Sequence, residues 1–173
     1  GKRVTIAEFM DRLMAKQLDA KGSELLKKAV EDCGAKILLG TEVTKLTGDD
    51  KVSGAETKDG QLVDCDMVIY SVGVRANIGL YKDTPIKINR GVIVDDHMRT
   101  SEANIYAAGD VAEFGRYSGL WTIAMEQGKI AGQNIGGYDV SFTGVVPVTN
   151  MNACNLSVFS IGDIEENSFT HTL

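Results

Sequence analysis

The sequence predicts an α/β fold in which the buried strands of an open sheet are interrupted by an antiparallel β-meander. The first observation is the apolar run from Ile105 to Ala108, which stops abruptly at Gly109-Asp110. The second is a series of short strand patterns between residues 36 and 65, separated by clusters of turn residues. The third is the helical spacing of apolar residues over residues 20–33 and 121–135.

The amino-terminal stretch from Arg3 to Glu8 alternates only loosely in polarity, which is typical of a buried parallel strand. It ends in an acid. In a nucleotide-binding βαβ unit, an acid at the end of the second strand holds the ribose hydroxyls of NAD. Glu8 is therefore a candidate NAD ligand whose charge would disfavour the 2′-phosphate of NADP, and the alternative is a solvated glutamate at a strand end.

The chain then changes from loop to helix to short strands. Residues 9–18 have no clean period and predict a loop, whereas Asp19 is predicted to cap a helix over residues 20–33 that Gly34 closes. After that helix the pattern turns to strands, with an Asp-Gly hairpin signal before the last of them. The predicted strands are Lys36 to Leu39, Glu42 to Leu46, Val52 to Lys58 and Gln61 to Cys65.

Asp66 to Ser71 is predicted to be a further buried strand. Pro85 excludes a helix in the segment that follows, and apolar runs on both sides of Asn89-Arg90-Gly91 predict a hairpin. The helix over 121–135 carries a stripe of small residues at Ala124, Gly128 and Gly132. Such a stripe predicts tight packing against another backbone.

The pattern of residues in the sequence changes again beyond about residue 143. Residues 145–149 and 156–161 each predict a strand, and a third strand is predicted to begin within 162–167.

Composition narrows the classes of function. The chain has 24 acidic against 18 basic residues, a balance that argues against nucleic acid or an anionic membrane as a partner. No apolar run approaches the roughly 20 residues that a membrane span needs, and no signal-peptide pattern precedes the first strand. Cys33, Cys65 and Cys154 are odd in number and far apart, which predicts buried thiols in a reducing, cytoplasmic compartment and no disulfide framework or metal site.

The Gly109-Asp110 pair is the strongest candidate for a binding site. Ligands of open α/β sheets lie at the carboxyl edge, where Gly109 would let a ligand approach the backbone and Asp110 could accept hydrogen bonds from sugar or polyol hydroxyls. An ordinary turn at the end of a strand is the alternative. The whole string from Thr100 to Val111, Thr-Ser-x-x-x-Ile-Tyr-Ala-Ala-Gly-Asp-Val, favours the ligand site.

That string resembles the second flavin motif of the FAD-dependent pyridine nucleotide-disulfide oxidoreductases. The resemblance implies Rossmann-like, three-layer FAD- and NAD(P)-binding domains, with Asp110 binding the ribityl chain of FAD. It also implies that the start of the second helix, at Trp121, Thr122 and Ile123, faces the flavin pyrimidine. Val72 to Asn77 resembles the family's Gly-x-x-Pro-Asn element near the nicotinamide, with Gly73 as the backbone contact, although Ala76 stands where proline is usual.

The resemblance also implies a division of the chain. Residues 1–78 would be an NAD-binding domain truncated at its amino-terminal side, 79–143 the rear of the FAD-binding domain, and 144–173 the start of an α+β interface domain. No Gly-x-Gly-x-x-Gly turn and no redox cysteine pair occur in the sequence, so the chain alone is expected to be inactive. A sheet that lacks its first strand leaves unpaired edges, and a homo-oligomer is therefore expected.

In function, the resemblance implies a flavoprotein in which NADH passes a hydride to FAD and the electrons go on to an acceptor protein or a small molecule. The short path from Asp110 to Trp121 is most similar to the NADH–rubredoxin reductase, NADH oxidase and nitrite reductase branch, so the acceptor could be a rubredoxin-like protein, oxygen or nitrite. The sequence leaves a second interpretation open, namely a non-catalytic binding or assembly module that retains half of a nucleotide site.

Overall fold

The computed structural model describes residues 1–115, 119–162 and 164. They form two compact units, of which the first comprises Gly1–Tyr70 with the described part of Val146–Leu173 and the second comprises Ser71–Val145. The predicted assignment of the chain to NAD-binding, FAD-binding and interface domains stays a prediction.

The first unit is built from a βαβ unit, a meander and a hairpin. Its elements are β1 (Val4–Ala7), α1 (Ala20–Asp32), β2 (Ala35–Leu38), β3 (Val43–Thr47), β4 (Gly54–Thr57), β5 (Leu62–Asp64), β8 (Val148–Ala153) and β9 (Leu156–Ile161). β1 and β2 pair in parallel across α1, β3-β4-β5 is antiparallel, and β8 pairs with β9. The loop, helix and meander predicted from the sequence are thus confirmed. The two strands predicted at 145–149 and 156–161 are also present and pair as a hairpin, although the first runs from Val148 to Ala153.

Local signals account for the boundaries of α1. The carboxylate of Asp19 accepts a hydrogen bond from the backbone N–H of Gly22 at 2.7 Å, which satisfies one of the otherwise unpaired amides at the helix start. Gly34 follows the helix with φ +90°, the left-handed conformation that glycine adopts without strain. α1 then packs its apolar face, through Leu26, on Leu13 and Leu18 and on residues of the hairpin.

The second unit is built around α2 (Trp121–Ile135) and a short parallel pair, β6 (Val92–Ile93) and β7 (Ala112–Glu113). The side chain of Met98 is fully buried, and the rings of Phe114 and Phe142 meet edge to face at 5.5 Å. Its buried core comprises Val92, Val94, Met98, Ala112, Ile123, Ile130, Ala131 and Phe142. Within the described part of the chain, neither helix is long and apolar enough to cross a membrane.

Two predicted strands are wrong. Asp66 to Ser71 is an irregular segment in which Ile69 is 83% exposed, because none of the described strands pairs with its backbone. Ile105 to Ala108 forms only a single bridge, between Tyr106 and Arg99, since the chain turns away at Gly109. The hairpin predicted around Asn89-Arg90-Gly91 is likewise reduced to one bridge, Ile88 with Val92, and β6 pairs with β7 instead.

Two packing predictions are also wrong. A methyl group placed on Gly128 or Gly132 would meet nothing within 4 Å among the described residues, so tight packing does not explain these glycines. The cysteines are not buried, because Cys33 is exposed and Cys65 and Cys154 are half-buried. The third strand predicted within 162–167 falls largely outside the described residues.

Candidate functional site

The candidate motif Gly109-Asp110 opens a short 3-10 helix, Gly109–Val111, that follows extended backbone at Ala108. Gly109 has φ +79°, a conformation that would strain any residue with a Cβ. Asp110 lies in the first turn with an exposed side chain. The predicted strand end is therefore a turn that only glycine makes easily, and it presents a carboxylate at the surface.

Helix α2 holds this turn in place through a residue that sequence reasoning missed. The backbone N–H of Gly109 donates to Oε1 of Gln127 at 2.9 Å, and the Gln127 side chain is only 4% exposed. A Cβ on Gly109 would lie 3.5 Å from that of Ala124, so the turn and the first part of α2 are in close contact. The signal for Gln127 was its position among Ile123 and Ile130 on the buried face of the helix, where a polar side chain needs a partner.

The start of α2 lies beside the turn, which contacts it at Ala124. Trp121 and Thr122 are exposed, whereas the side chain of Ile123 belongs to the core. The N-cap is the apolar Leu120, which makes no side-chain cap among the described residues. The first amides of a helix lack intrahelical partners and lie at the positive end of its dipole, so this end can favour an anionic or hydrogen-bond-accepting group.

Glu8 follows β1 and is fixed by both backbone and side chain. Its N–H donates to the carbonyl of Leu38 at 2.9 Å, and its carbonyl accepts from Thr41 N at 2.8 Å. Oε1 accepts from the N–H of Met10 at 2.8 Å. The half-buried carboxylate is thus held at the end of the parallel pair β1–β2, where the sequence predicts it.

A cleft of about 490 Å³ adjoins this strand end and has a charged rim. Nζ of Lys58 lies 2.8 Å from Oε2 of Glu42, and this hydrogen bond raises the pKa of Lys58. A hydrogen bond from the Thr57 hydroxyl lowers the pKa of Asp59. The rim therefore carries one lysine, Lys58, that is already paired with Glu42, and a further carboxylate, Asp59. The cleft is lined by Phe9, Gly40, Thr41, Glu42, Lys58 and Asp59.

Gly73 lies in an exposed, irregular segment of the second unit. It has φ +83°, and a Cβ there would meet nothing within 4 Å. Its neighbour Val72 is 89% exposed. The structure thus brings Gly109, Asp110 and the start of α2 together, whereas Glu8 belongs to the other unit.

A second polar cluster lies at the far end of α2. Nδ1 and Nε2 of His97 each lie 2.8 Å from a carboxylate oxygen, of Asp96 and Asp139 respectively. The bond to Asp96 raises the pKa of His97 and lowers that of Asp96. Asp95, Asp96 and His97 offer ligand atoms within 4.8 Å of one another, but a metal would have to displace the carboxylate from the imidazole nitrogen.

Asn134 ties this cluster to α2. Its Nδ2 donates to the carbonyls of His97 at 3.1 Å and Val140 at 2.8 Å, and its Oδ1 accepts from Val140 N at 3.1 Å. The side chain is 7% exposed. Gln127 and Asn134 thus anchor two loops of the second unit to one face of the same helix.

Comparison with known proteins gives consistent matches. The family model described as pyridine nucleotide-disulphide oxidoreductase matches residues 1–128. The chain is 36% identical over 168 residues to an NADH-rubredoxin oxidoreductase of Clostridium acetobutylicum, covering 96% of this chain and 41% of that protein. It is 36% identical over 168 residues to a nitrite reductase [NAD(P)H] of Bacillus subtilis, covering 96% of this chain and 21% of that protein.

A solved structure agrees with the sequence matches. The water-forming NADH oxidase from Lactobacillus brevis, bound to NADH, aligns with a TM-score of 0.85 at 28% identity, covering 95% of this chain and 38% of that one. The α/β class predicted from the sequence is thereby confirmed. The chain spans about two-fifths or less of the length of each of these proteins.

Proposed function

Because the chain belongs to the pyridine nucleotide-disulphide oxidoreductase family, we propose that it forms part of an FAD-dependent NADH oxidoreductase. This membership confirms the resemblance seen in the stretch from Thr100 to Val111. The similar proteins include an NADH-rubredoxin oxidoreductase, a nitrite reductase and an NADH oxidase. Each of them is much longer than the part this chain matches, so the activity of the whole protein is part of the proposal.

The observation that carries the proposal is the junction of the Gly109-Asp110 turn with helix α2. Gln127 and Ala124 hold the turn against the helix, and the exposed carboxylate of Asp110 lies on the same turn. These residues fit a flavin, because a carboxylate suits the ribityl hydroxyls and the helix amides suit the pyrimidine oxygens. We assign FAD to Gly109, Asp110 and the backbone of Trp121, Thr122 and Ile123.

The same reasoning assigns NAD to Glu8. For Gly73, which belongs to the second unit, the proposed role as a backbone contact of the nucleotide rests on the family resemblance alone. The carboxylate of Glu8 is held at a strand end, beside a cleft whose one lysine is already paired with Glu42. Ribose hydroxyls can donate to a carboxylate, whereas a 2′-phosphate would meet Glu8 and Asp59 without a spare cation among the lining residues.

Bound FAD would supply the redox chemistry, accepting a hydride from NADH and passing electrons on. The residues of this chain would bind and orient the two cofactors, and we assign none of them a catalytic role. The acceptor in this proposal is a rubredoxin-like protein, oxygen or nitrite, the site of action is the cytoplasm, and the protein is a homo-oligomer.

The proposal is tested by Asp110→Ala in the protein as its cell makes it. Charge-assisted hydrogen bonds contribute about 1.5–3 kcal/mol, so flavin affinity should fall by about one to two decades. The measurement is the FAD content after purification and the dissociation constant by flavin fluorescence. Asp83→Ala, which removes another exposed carboxylate of the same unit, should leave both unchanged. Equal FAD affinity in the Asp110 variant and the wild type would refute the assignment.

A further inference from the structure

The segment at residues 71–77 is held by few interactions of its own backbone. It is irregular, and the side chains of Val72 and Val74 within it are exposed. Residues 71–75 take part in none of the backbone hydrogen bonds between described residues, and the chain rejoins the core of the second unit at Tyr81. Side-chain packing must therefore set the position of this segment.

Val74 packs this segment against the residue that precedes the N-cap of α2. A Cβ placed on Gly119 would lie 2.6 Å from Cγ2 of Val74, whereas carbon atoms in van der Waals contact are about 3.5–4 Å apart. Gly119 does not have a positive φ, so its backbone conformation is open to other residues. The approach of Val74 is thus the reason that only glycine fits at this position.

This contact joins the two regions that the proposed function gives to the cofactors. Gly119 is followed directly by Leu120, the N-cap of α2, and by Trp121, the first residue of the helix, where we place the flavin. Val74 directly follows Gly73, to which the family resemblance gives a backbone contact near the nicotinamide. The packing of Val74 on Gly119 therefore fixes how far the proposed nicotinamide contact lies from the proposed flavin contact.

The surface beside the contact is apolar and open. The exposed fraction is 64% for Val74, 40% for Leu120 and 78% for Trp121. Apolar side chains line most ligand sites, and flavin and nicotinamide are flat ring systems with large apolar faces. The side chains beside the contact are therefore of the kind that would lie against the two rings.

We propose that Val74 is a positioning residue for hydride transfer, and that its packing on Gly119 sets the separation of the nicotinamide and flavin rings. This inference rests on the proposed function. In the reaction two electrons and one proton leave the nicotinamide together as a hydride, so that NADH is oxidised to NAD⁺ and FAD is reduced. The reacting atoms must lie about 3–3.5 Å apart, and a displacement of about 1 Å can slow a reaction about 100-fold.

The test is the rate at which saturating NADH reduces the flavin of the protein as its cell makes it, followed anaerobically by stopped-flow absorbance. Gly119→Ala should lower this rate by about 10- to 100-fold, because its methyl group displaces Val74. Val74→Ala should lower the rate by a smaller factor, and the double variant should reduce at the rate of Val74→Ala, since the smaller side chain makes room. Gly128→Ala is the matched control on α2, where a Cβ meets nothing within 4 Å among the described residues, and should keep the wild-type rate.

Further readouts separate positioning from a loss of structure. The FAD content of Gly119→Ala and its dissociation constant for NADH should stay close to those of the wild type, and dithionite should reduce its flavin at the wild-type rate. With NADH deuterated at the transferred position, the isotope effect on flavin reduction should be at least as large as in the wild type, because the hydride step is the one that is slowed. If Gly119→Ala does not fold, Val74→Ala by itself carries the test.

Wild-type rates of flavin reduction in the folded variants at these two positions would overturn the inference. A loss of rate in Gly119→Ala that Val74→Ala does not relieve would overturn it as well. In both cases a wild-type flavin that NADH reduces leaves the proposed function standing. A wild type whose flavin NADH does not reduce would overturn the proposed function itself, and the inference with it.

Discussion

Asn134→Leu should destabilise the second unit, because Asn134 makes three hydrogen bonds to the loops around it. At about 1 kcal/mol for each bond, the loss is roughly 3 kcal/mol. Leucine is close in size and would recover about 1 kcal/mol by burying apolar surface, leaving a net loss of about 2 kcal/mol. The unpaired groups would be the N–H and carbonyl of Val140 and the carbonyl of His97.

The assay is urea denaturation followed by circular dichroism and by the fluorescence of Trp121, the single tryptophan, which lies on the same helix. The midpoint should fall by about 1 M urea. Gln133→Leu makes a comparable change at the preceding position of α2, where the residue is half-buried, and its stability should stay within about 0.5 kcal/mol of the wild type. If the two variants unfold at the same urea concentration, the network does not stabilise the unit as argued.

Three more predictions concern pH, nucleotide choice and association. Asp96 and Asp139 raise the pKa of His97 in the folded chain. The protonated imidazole therefore stabilises the fold fully below its ordinary pKa of 6.5, and this stabilisation is lost as the pH rises through the pKa of the folded state. His97→Gln should flatten the decline of the melting temperature with pH, and an unchanged decline would contradict this prediction. The protein as its cell makes it should have a higher kcat/KM for NADH than for NADPH, and Glu8→Ala should bring the two kcat/KM values closer together. Equal kcat/KM values for the two nucleotides in the wild type would show that Glu8 does not select against NADPH. The exposed apolar stretch at residues 67–74 should make the 173-residue chain associate in sedimentation, and a stable monomer would refute that.

Several local features could be derived from the sequence because they depend on neighbouring residues. Helix α1 begins after the side-chain cap of Asp19 and ends before Gly34, whose backbone is left-handed. Both signals act within one helical turn. The meander was marked by its turn residues. The Gly109-Asp110 motif was recognisable as a string, and the family match over residues 1–128 supports that recognition.

Other features failed or were missed because they depend on partners distant in the chain. The segment from Asp66 to Ser71 is as apolar as a buried strand, but an apolar pattern becomes a strand only when another strand pairs with its backbone. The sequence shows Gln127 as a polar residue on the apolar face of its helix, but only the fold shows that its partner is the N–H of Gly109.

The packing of the β8–β9 hairpin shows the division between sequence and tertiary structure most plainly. Apolar residues of a helix and of a strand more than 100 positions further along the chain give no sign in the sequence that they share a core. Only the tertiary structure shows that β8 and β9 pack on the region of α1, through Met151, Leu156 and Val158. The sequence by itself determined where α1, the meander and the Gly109-Asp110 turn lie along the chain, because these features depend on short-range sterics and hydrogen bonds. Tertiary structure decided which distant side chains meet, because the burial of apolar surface that brings them together has no direction along the sequence.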